Sequence, residues 1–191
     1  ANTGGGNTAI GGGALEANTS SSNNTAVGHN ALADNTTGTG TAVGSYSLYV
    51  STTGTANTAV GHNSLGSNTT ASNNTAVGDY ALQANTTGTA NVAVGANALD
   101  ANTTASHNTA VGRNALGANT TGGANTATGS GSMSSTTSGS DNVAFGTSTL
   151  DANTNGGNNT AIGRSALENN ITASNNTAVG RDALLSNTTG A

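Results

Sequence analysis

The chain of 191 residues contains no Cys, Pro or Trp, and its only basic residues are Arg113, Arg164 and Arg181. Without Cys, neither disulfides nor thiolate metal ligands can contribute to the fold. Three Arg residues against eight acids, a net charge of −5, provide no basic surface for phosphates. We therefore expect no nucleic-acid partner. No apolar run approaches the ~18 residues that a membrane span requires, so we expect none.

Bulky side chains are also scarce, with one Phe, one Met and three Tyr against 29 Gly. This composition excludes a conventional globular core. Disordered chains combine low hydrophobicity with high charge and Pro, whereas this chain is only 6% charged and has no Pro. The sequence therefore predicts an ordered protein with a thin core of Val, Ile, Leu, Ala and Thr.

The pentad Asn-Thr-Ala-Val-Gly recurs every 17 residues, apart from one spacing of 16, and defines eleven units. Positions are counted from that Asn in the consensus N-T-A-V-G-x-x-A-L-x-x-N-T-T-G-T/S-N/A. The period is too short for two-helix repeats, and Gly at position 5 disfavours helix. We predict an all-β fold, a parallel β-solenoid of about eleven 17-residue coils. Residues 1–191 form a single repeat array without caps, with units that start at Asn7, Asn24, Gly40, Asn57, Asn74, Asn91, Asn108, Asn125, Asn142, Asn159 and Asn176.

The variation between units predicts which positions point inward, because alternate strand residues face opposite sides. Positions 2, 4, 9 and 13 are predicted to be internal. Position 4 is mostly Val, and position 9 is Leu in ten units and Met133 in the other. The predicted core ranks include Val27, Leu32, Val60, Leu65, Val77, Leu82, Val94, Leu99, Val111, Leu116, Phe145, Leu150, Ile162 and Leu167.

Position 3 is Ala in all eleven units, and position 8 is Ala, Ser or Thr149. Strand alternation from position 4 places position 3 outside, where a restriction on size indicates close packing against another chain. The alternative is that these positions lie at tight bends. The predicted assembly stripe is Ala26, Ala42, Ala59, Ala76, Ala93, Ala110, Ala127, Ala144, Ala161 and Ala178.

The Asn residues at position 12 are predicted to stack into a ladder of side-chain amides, as they do in cross-β assemblies. Eight of these nine residues, and four Asn at position 17, also lie in Asn-x-Ser/Thr sequons, so scattered glycosylation is the competing interpretation. The predicted ladder comprises Asn18, Asn35, Asn68, Asn85, Asn102, Asn119, Asn153, Asn170 and Asn187.

The string Asn24-Thr25-Ala26-Val27-Gly28, with Ala31-Leu32 and Asn35-Thr36-Thr37-Gly38 after it, resembles the repeats of phage and bacterial fibre proteins. Those proteins often carry an endosialidase-type self-cleaving chaperone domain. The string is also similar, more loosely, to the S-V-A-I-G units in the heads of trimeric autotransporter adhesins, although the 17-residue period is longer than theirs. The resemblance implies an elongated, often trimeric, parallel β-roll that serves as a shaft or an adhesive head.

Three features bear on alternative functions. Thr and Ser ranks at positions 14 and 16, as in Thr37-Gly38-Thr39, have the arrangement that ice-binding solenoids use to order water. Asp151 and Glu168 share position 10 of successive units and could form the carboxylate pair of a glycosidase. His29 and His62 share position 6 but lie two coils apart, roughly 10 Å by the strand spacing, which is too far for one metal.

The sequence as a whole predicts a structural or adhesive fibre segment, with an ice-binding solenoid as the alternative. We expect it to be extracellular or on a cell or virion surface. Its expected partners are copies of itself, joined through the open ends of the array and the small-residue faces, and cell-surface glycans. We expect no enzymatic activity, no catalytic residue, no cofactor and no metal.

Overall fold

The computed structural model describes residues 3–190, so Ala1, Asn2 and Ala191 of the predicted array lie outside the described residues. It confirms an all-β, parallel β-solenoid of stacked coils. Eleven short strands form one sheet in chain order. At ~4.8 Å per strand the sheet is ~50 Å long. The strands are β1 Thr8–Ile10, β2 Thr25–Val27, β3 Gly40–Val43, β4 Asn57–Val60, β5 Thr75–Val77, β6 Val92–Val94, β7 Thr109–Val111, β8 Thr126–Thr128, β9 Val143–Phe145, β10 Thr160–Ile162 and β11 Thr177–Val179.

Every strand pairs in parallel with the next, and the register is the same throughout. Ala76 pairs with Ala93, and Ala93 pairs with Ala110, so each repeat position stacks on its counterpart. The 16-residue unit leaves this register intact, because Ala26 still pairs with Ala42. Each position of the repeat therefore forms a straight row along the solenoid.

Left-handed backbone conformations occur at positions 7 and 9 of every unit, and at position 17 of every unit that has this position. In one coil Asn97 has φ 56° and Leu99 has φ 51°, and His107 at position 17 has φ 64°. Asn, Asp and Gly tolerate this region, which explains why they are common at positions 7 and 17. A Leu with positive φ is strained, yet the conformation recurs in coil after coil because it turns the side chain inward.

Glycine at position 5 follows each strand for a steric reason. Gly95 has φ 136°, and a Cβ there would lie 2.6 Å from the carbonyl oxygen of Gly112 in the next coil. No L side chain fits that conformation and that gap. The invariant Gly therefore allows successive coils to stack directly.

The interior of each coil contains the residues at positions 3, 8 and 9. Ala93, Ala98 and Leu99 of one coil have no solvent exposure. The prediction for position 9 is confirmed, because Leu32, Leu65, Leu82, Leu99, Leu116, Leu150 and Leu167 are all buried. Leu15, Leu48 and Met133 of the same row are also buried, whereas Leu184 in the last unit is 49% exposed.

The predicted orientation of the strands is wrong. Position 4 faces solvent: Val27 is half-buried, and Val60, Val77, Val94, Val111, Phe145 and Ile162 are between 36% and 59% exposed. Position 2 also faces outward. At position 13, Thr52 and Thr69 are only half-buried. Ile171, the apolar exception at position 13, is exposed.

The predicted assembly stripe is wrong for the same reason, because Ala at position 3 points into the coil. The coil is so narrow that a strand side chain facing the Leu row has space for a single methyl group. The restriction on size therefore reflects the protein's own interior rather than a neighbouring chain. Ala26, Ala42, Ala59, Ala76, Ala93, Ala110, Ala127, Ala144 and Ala161 are fully buried, and Ala178 is 3% exposed.

The position-12 ladder forms as predicted, but in separate runs. Amide donors link Asn85 to Asn68 at 3.1 Å, Asn102 to Asn85 at 2.9 Å and Asn119 to Asn102 at 3.0 Å. A second run joins Asn153, Asn170 and Asn187. Asn35 instead donates to Ser21 Oγ, whose hydroxyl donates to Asn18 Oδ1.

The ladder is interrupted where position 12 is not Asn. Ser51 follows Asn35, and Thr136 follows Asn119. Within the described residues, Asn35 Oδ1, Asn119 Oδ1 and Thr136 Oγ1 are buried and have no hydrogen-bond partner. The shorter side chains supply no amide donor, so each break leaves a buried acceptor unpaired.

A second row of buried Asn, which the sequence-based interpretation missed, lies at position 1. Asn57 Oδ1 accepts the backbone N–H of Asn74 at 3.0 Å, and Asn57 Nδ2 donates to the carbonyl of Ala71 at 2.7 Å. Asn68 donates to the same carbonyl from position 12. The two Asn rows thus converge on position 15 and join neighbouring coils. The signal was available, since position 1 is Asn in ten of eleven units.

Candidate functional site: the Thr/Val face and the aromatic ladder

The outward side of the sheet carries two parallel rows of side chains, which we call the Thr/Val face. Neither row contains a charged residue in any of the eleven strands. Position 2 contributes Thr8, Thr25, Thr41, Thr58, Thr75, Val92, Thr109, Thr126, Val143, Thr160 and Thr177. Position 4 contributes Ile10, Val27, Val43, Val60, Val77, Val94, Val111, Thr128, Phe145, Ile162 and Val179.

The Thr/Val face is large for a chain of this size. Eleven strands give a length of ~50 Å, and three residues of extended chain give a width of ~10 Å, so the face covers ~500 Å². The mostly apolar row at position 4 runs the whole length of this area, and extended apolar surface left exposed on a monomer is often functional. The face is thus a candidate contact surface.

The hydroxyl ranks at positions 14 and 16 do not form two free rows. At position 16, Ser72 Oγ accepts the backbone N–H of Thr55 at 3.0 Å, and Ser106 Oγ accepts that of Thr89 at 2.9 Å. These hydroxyls hold neighbouring coils together. Position 14 is exposed at Thr37, Thr87 and other units, so it forms one row. A regular row of outward hydroxyls beside an apolar row is found instead at position 2.

Five ring side chains on four consecutive coils form what we call the aromatic ladder. His29, Tyr46, His62 and Tyr80 follow one another along the solenoid, with ring centroids 5.4, 6.3 and 5.2 Å apart. Tyr49 packs beside Tyr46 at 5.4 Å. All the contacts are edge-to-face, with interplanar angles of 83–88°.

The ladder is not evident in the sequence, because the rings alternate between positions 6 and 7. His29 and His62 occupy position 6, whereas Tyr46 and Tyr80 occupy position 7. Position 7 has a left-handed backbone, with φ 58° at Tyr46. This turn brings the two positions to the same edge of the solenoid. His29 and His62 thus flank Tyr46, and among the described residues no group of three metal-ligating side chains exists.

The structure gives Asp151 a partner other than Glu168. Its carboxylate accepts a hydrogen bond from Ser134 Oγ, one coil earlier. Within the described residues the one ion pair joins Arg181 to Asp182 at 3.2 Å on the exposed surface.

A shallow polar groove of about 360 Å³ lies between the coils that carry Asp100 and Ser134. Asn97, Asn114, Gly117 and Ala118 complete its lining. Burial raises the pKa of the Asp100 carboxyl, and backbone hydrogen bonds oppose this shift. The absence of a side chain at Gly117 keeps the groove open above Asp100.

The two groups of sequons differ in accessibility. Asn68, Asn85, Asn102 and the other position-12 residues of the ladder runs are buried, apart from the half-buried Asn187, and their amides are hydrogen-bonded. The position-17 residues Asn23, Asn73, Asn158 and Asn175 are exposed at a corner of the coil. Among the sequons, those at position 17 are therefore the ones most accessible to N-linked glycosylation on the folded chain.

No family model, curated protein or solved structure matches the chain. None of the described residues forms a helix that could cross a membrane.

Proposed function

We propose that the chain is a rigid structural segment of an extracellular fibre whose copies associate side by side through the Thr/Val face. The observation that supports this proposal is the uninterrupted, uncharged row pair on the outward side of the eleven-stranded sheet. Apolar side chains such as Val94 and Phe145 stay exposed along this face. Covering them removes apolar surface from water, which favours association.

A second copy of the chain is the partner that fits this face best. The rows repeat every ~4.8 Å, and a second copy presents rows with the same period, so Val and Thr can interlock along the whole length. The joint burial would be ~1,000 Å², which is below the ~1,200–2,000 Å² of stable, specific interfaces and typical of weak association. Association through the ends of the array, which the sequence also predicts, remains a separate prediction.

The rows on the interior support the structural part of the proposal. The fixed register and the two buried Asn rows join each coil to the next. Repeat proteins of this kind gain length by adding units that each contact only their neighbours. A stiff rod with a uniform contact face is suited to bearing load or displaying a surface. In this proposal the Thr/Val face, rather than the small-residue stripe, is the surface through which copies assemble.

The test places two charges on the face and measures the mass in solution. The variant Val77→Lys with Val111→Lys changes two outward residues that lie two coils apart. The control, Thr87→Lys with Thr121→Lys, adds the same charges to exposed position-14 residues of the same two coils. We expect sedimentation to show oligomers for the unmodified chain and the control, and 18.0 kDa monomers for the face variant. A monomeric unmodified chain at its highest soluble concentration would refute lateral association.

Ice binding is the second candidate function, and it is favoured by the same face. Thr hydroxyls and Val methyl groups stand in straight rows at a constant spacing, without a charge to order water differently. Thermal hysteresis separates the two candidates. A monomer with hysteresis that the Val77→Lys and Val111→Lys changes remove supports ice binding and rejects the fibre proposal. An oligomer without hysteresis does the reverse.

A further inference from the structure

We propose that the aromatic ladder binds a linear, neutral, β-1,4-linked glycan along the axis of the solenoid. The first observation is the concentration of rings. All three Tyr and two of the three His residues of the chain lie in this one cluster. Elsewhere the aromatic side chains are Phe145 and His107, and neither is part of the ladder. Packing does not require this cluster, because the core of each coil is built from Ala and Leu.

The second observation is that the rings are accessible. His29 and His62 are exposed, Tyr80 is 38% exposed, and Tyr46 and Tyr49 are half-buried. Edge-to-face contacts fix the rings relative to one another before any partner arrives. A preorganised row loses little conformational entropy on binding, which favours affinity. The ladder is thus a rigid platform at the surface.

The third observation is the period of the ladder. His and Tyr alternate along the ladder, so rings of the same kind recur every second coil, ~10 Å apart. In a β-1,4-linked glycan each sugar is turned over relative to the next, so equivalent sugar faces recur once per disaccharide, at a comparable distance. The C–H groups of a pyranose pack against the electron-rich face of an aromatic ring. A linear glycan therefore matches the ladder in direction and in repeat.

The local charge favours a neutral glycan over an anionic one. The chain's Arg113, Arg164 and Arg181 all lie in later coils than the ladder. The charged neighbours in the ladder coils are the exposed carboxylates Asp34 and Asp79, which would repel sulfate or uronate groups. The carboxylate oxygens can accept hydrogen bonds from sugar hydroxyls, and the Tyr hydroxyls and the amide of Gln83 can both accept and donate them.

The experiment uses the intrinsic fluorescence of tyrosine as its readout. The chain has no Trp, and its three Tyr residues all belong to the ladder, so the Tyr signal reports on this site alone. The probes are the hexasaccharides of β-1,4-linked glucose and of β-1,4-linked N-acetylglucosamine, with an α-1,4-linked glucose hexamer as the comparison. We expect saturable binding of a β-1,4 hexamer, confirmed by titration calorimetry, and weaker binding of the α-linked chain.

Two variants assign the site. Tyr46→Ala removes the ring at the centre of the ladder and is expected to weaken binding at least tenfold. Tyr80→Phe keeps the ring and is expected to retain most of the affinity. Phe145→Ala, which removes an exposed ring elsewhere, is the control and should bind normally. Circular dichroism verifies that each variant is folded.

The inference is overturned if neither β-1,4 hexamer binds, or if Tyr46→Ala and Phe145→Ala bind equally well. It is independent of the proposed lateral association, because the ladder lies at positions 6, 7 and 10 and not on the Thr/Val face. A monomeric rod that binds the glycan would reject only the association. An oligomer that does not bind it would reject only the glycan site.

Discussion

Position 3 of the repeat is Ala in all eleven units, whereas position 4, one residue further along the same strand, admits Val, Ile, Thr and Phe. The first position faces the interior of the coil and the second faces solvent. In most proteins the larger apolar residue would be the internal one. Here the width of the coil determines which residue is internal, because only a methyl group fits between the strand and the Leu row. In so thin a solenoid, uniformity of size marks the inside more reliably than hydrophobicity does.

The largest effect is expected from breaking an internal amide. Asn102 Nδ2 donates to Asn85 Oδ1 and to the carbonyl of Ala105, and its Oδ1 accepts from Asn119. Asn102→Leu keeps the number and branching of the side-chain heavy atoms but leaves a buried acceptor and a buried donor unpaired. At about 1–3 kcal/mol for each orphaned group, we expect a loss of about 2–5 kcal/mol in the free energy of unfolding. Urea denaturation followed by circular dichroism measures this loss.

The matched outward change in the same coil is Thr104→Ala, at exposed position 14. We expect it to alter the free energy of unfolding by about 0.5 kcal/mol or less. If the two variants unfold at the same urea concentration, the buried ladder does not stabilise the coils.

The next largest effect compares the two sides of one strand. Ala93→Val adds two methyl groups at a position without solvent exposure, and we expect a loss of about 1–3 kcal/mol from overpacking. Val94→Ala removes the same two groups from the Thr/Val face, and it should cost less than about 1 kcal/mol at dilutions where the chain is monomeric. Calorimetric melting of both variants provides the comparison. A larger loss from Val94→Ala would mean that the face is covered in solution, as lateral association requires.

A gain in stability is expected where the ladder is repaired. Thr136→Asn would donate an amide hydrogen to Asn119 Oδ1, which is now buried without a partner, and would accept from Asn153. Satisfying a buried polar group adds about 1 kcal/mol. We expect the urea midpoint to rise. Thr104→Asn, on the exposed side, is the control and should leave the midpoint unchanged. An unchanged midpoint for Thr136→Asn would show that Asn119 Oδ1 already has a hydrogen-bond partner in solution.

The period and the composition were sufficient to predict the fold, the Leu row and the position-12 ladder. The orientation of the strand was not predictable from side-chain type, because an alternation of Thr and Val around Ala normally places Val inside. The decisive information is the diameter of the coil, which depends on the left-handed turns at residues such as Asn97 and Leu99. Leu does not signal such a turn. The aromatic ladder was missed for a related reason, since Tyr46 and Tyr80 join His29 and His62 only after that turn is made.

The smallest effect concerns Asp100, which lies between the inner and outer sides, half-buried in the polar groove. Burial raises the pKa of its carboxyl above the ordinary value, so the folded state binds the proton more tightly than the unfolded state. The protonated form therefore adds stability at low pH, and this contribution is lost as the pH rises through the pKa of the folded state. At neutral pH the ionised Asp100 is consequently a small cost.

Asp100→Asn removes that cost. Because the side chain is still partly solvated, we expect a gain of about 0.5 kcal/mol or less at pH 7. The gain should disappear at a pH below the ordinary pKa of 3.8, where both forms are uncharged. Denaturation of both proteins across this pH range measures the difference, and Asp34→Asn, at an exposed site, controls for the change in net charge. A gain that is independent of pH would show that the amide stabilises the groove by a new hydrogen bond rather than by relieving the buried charge.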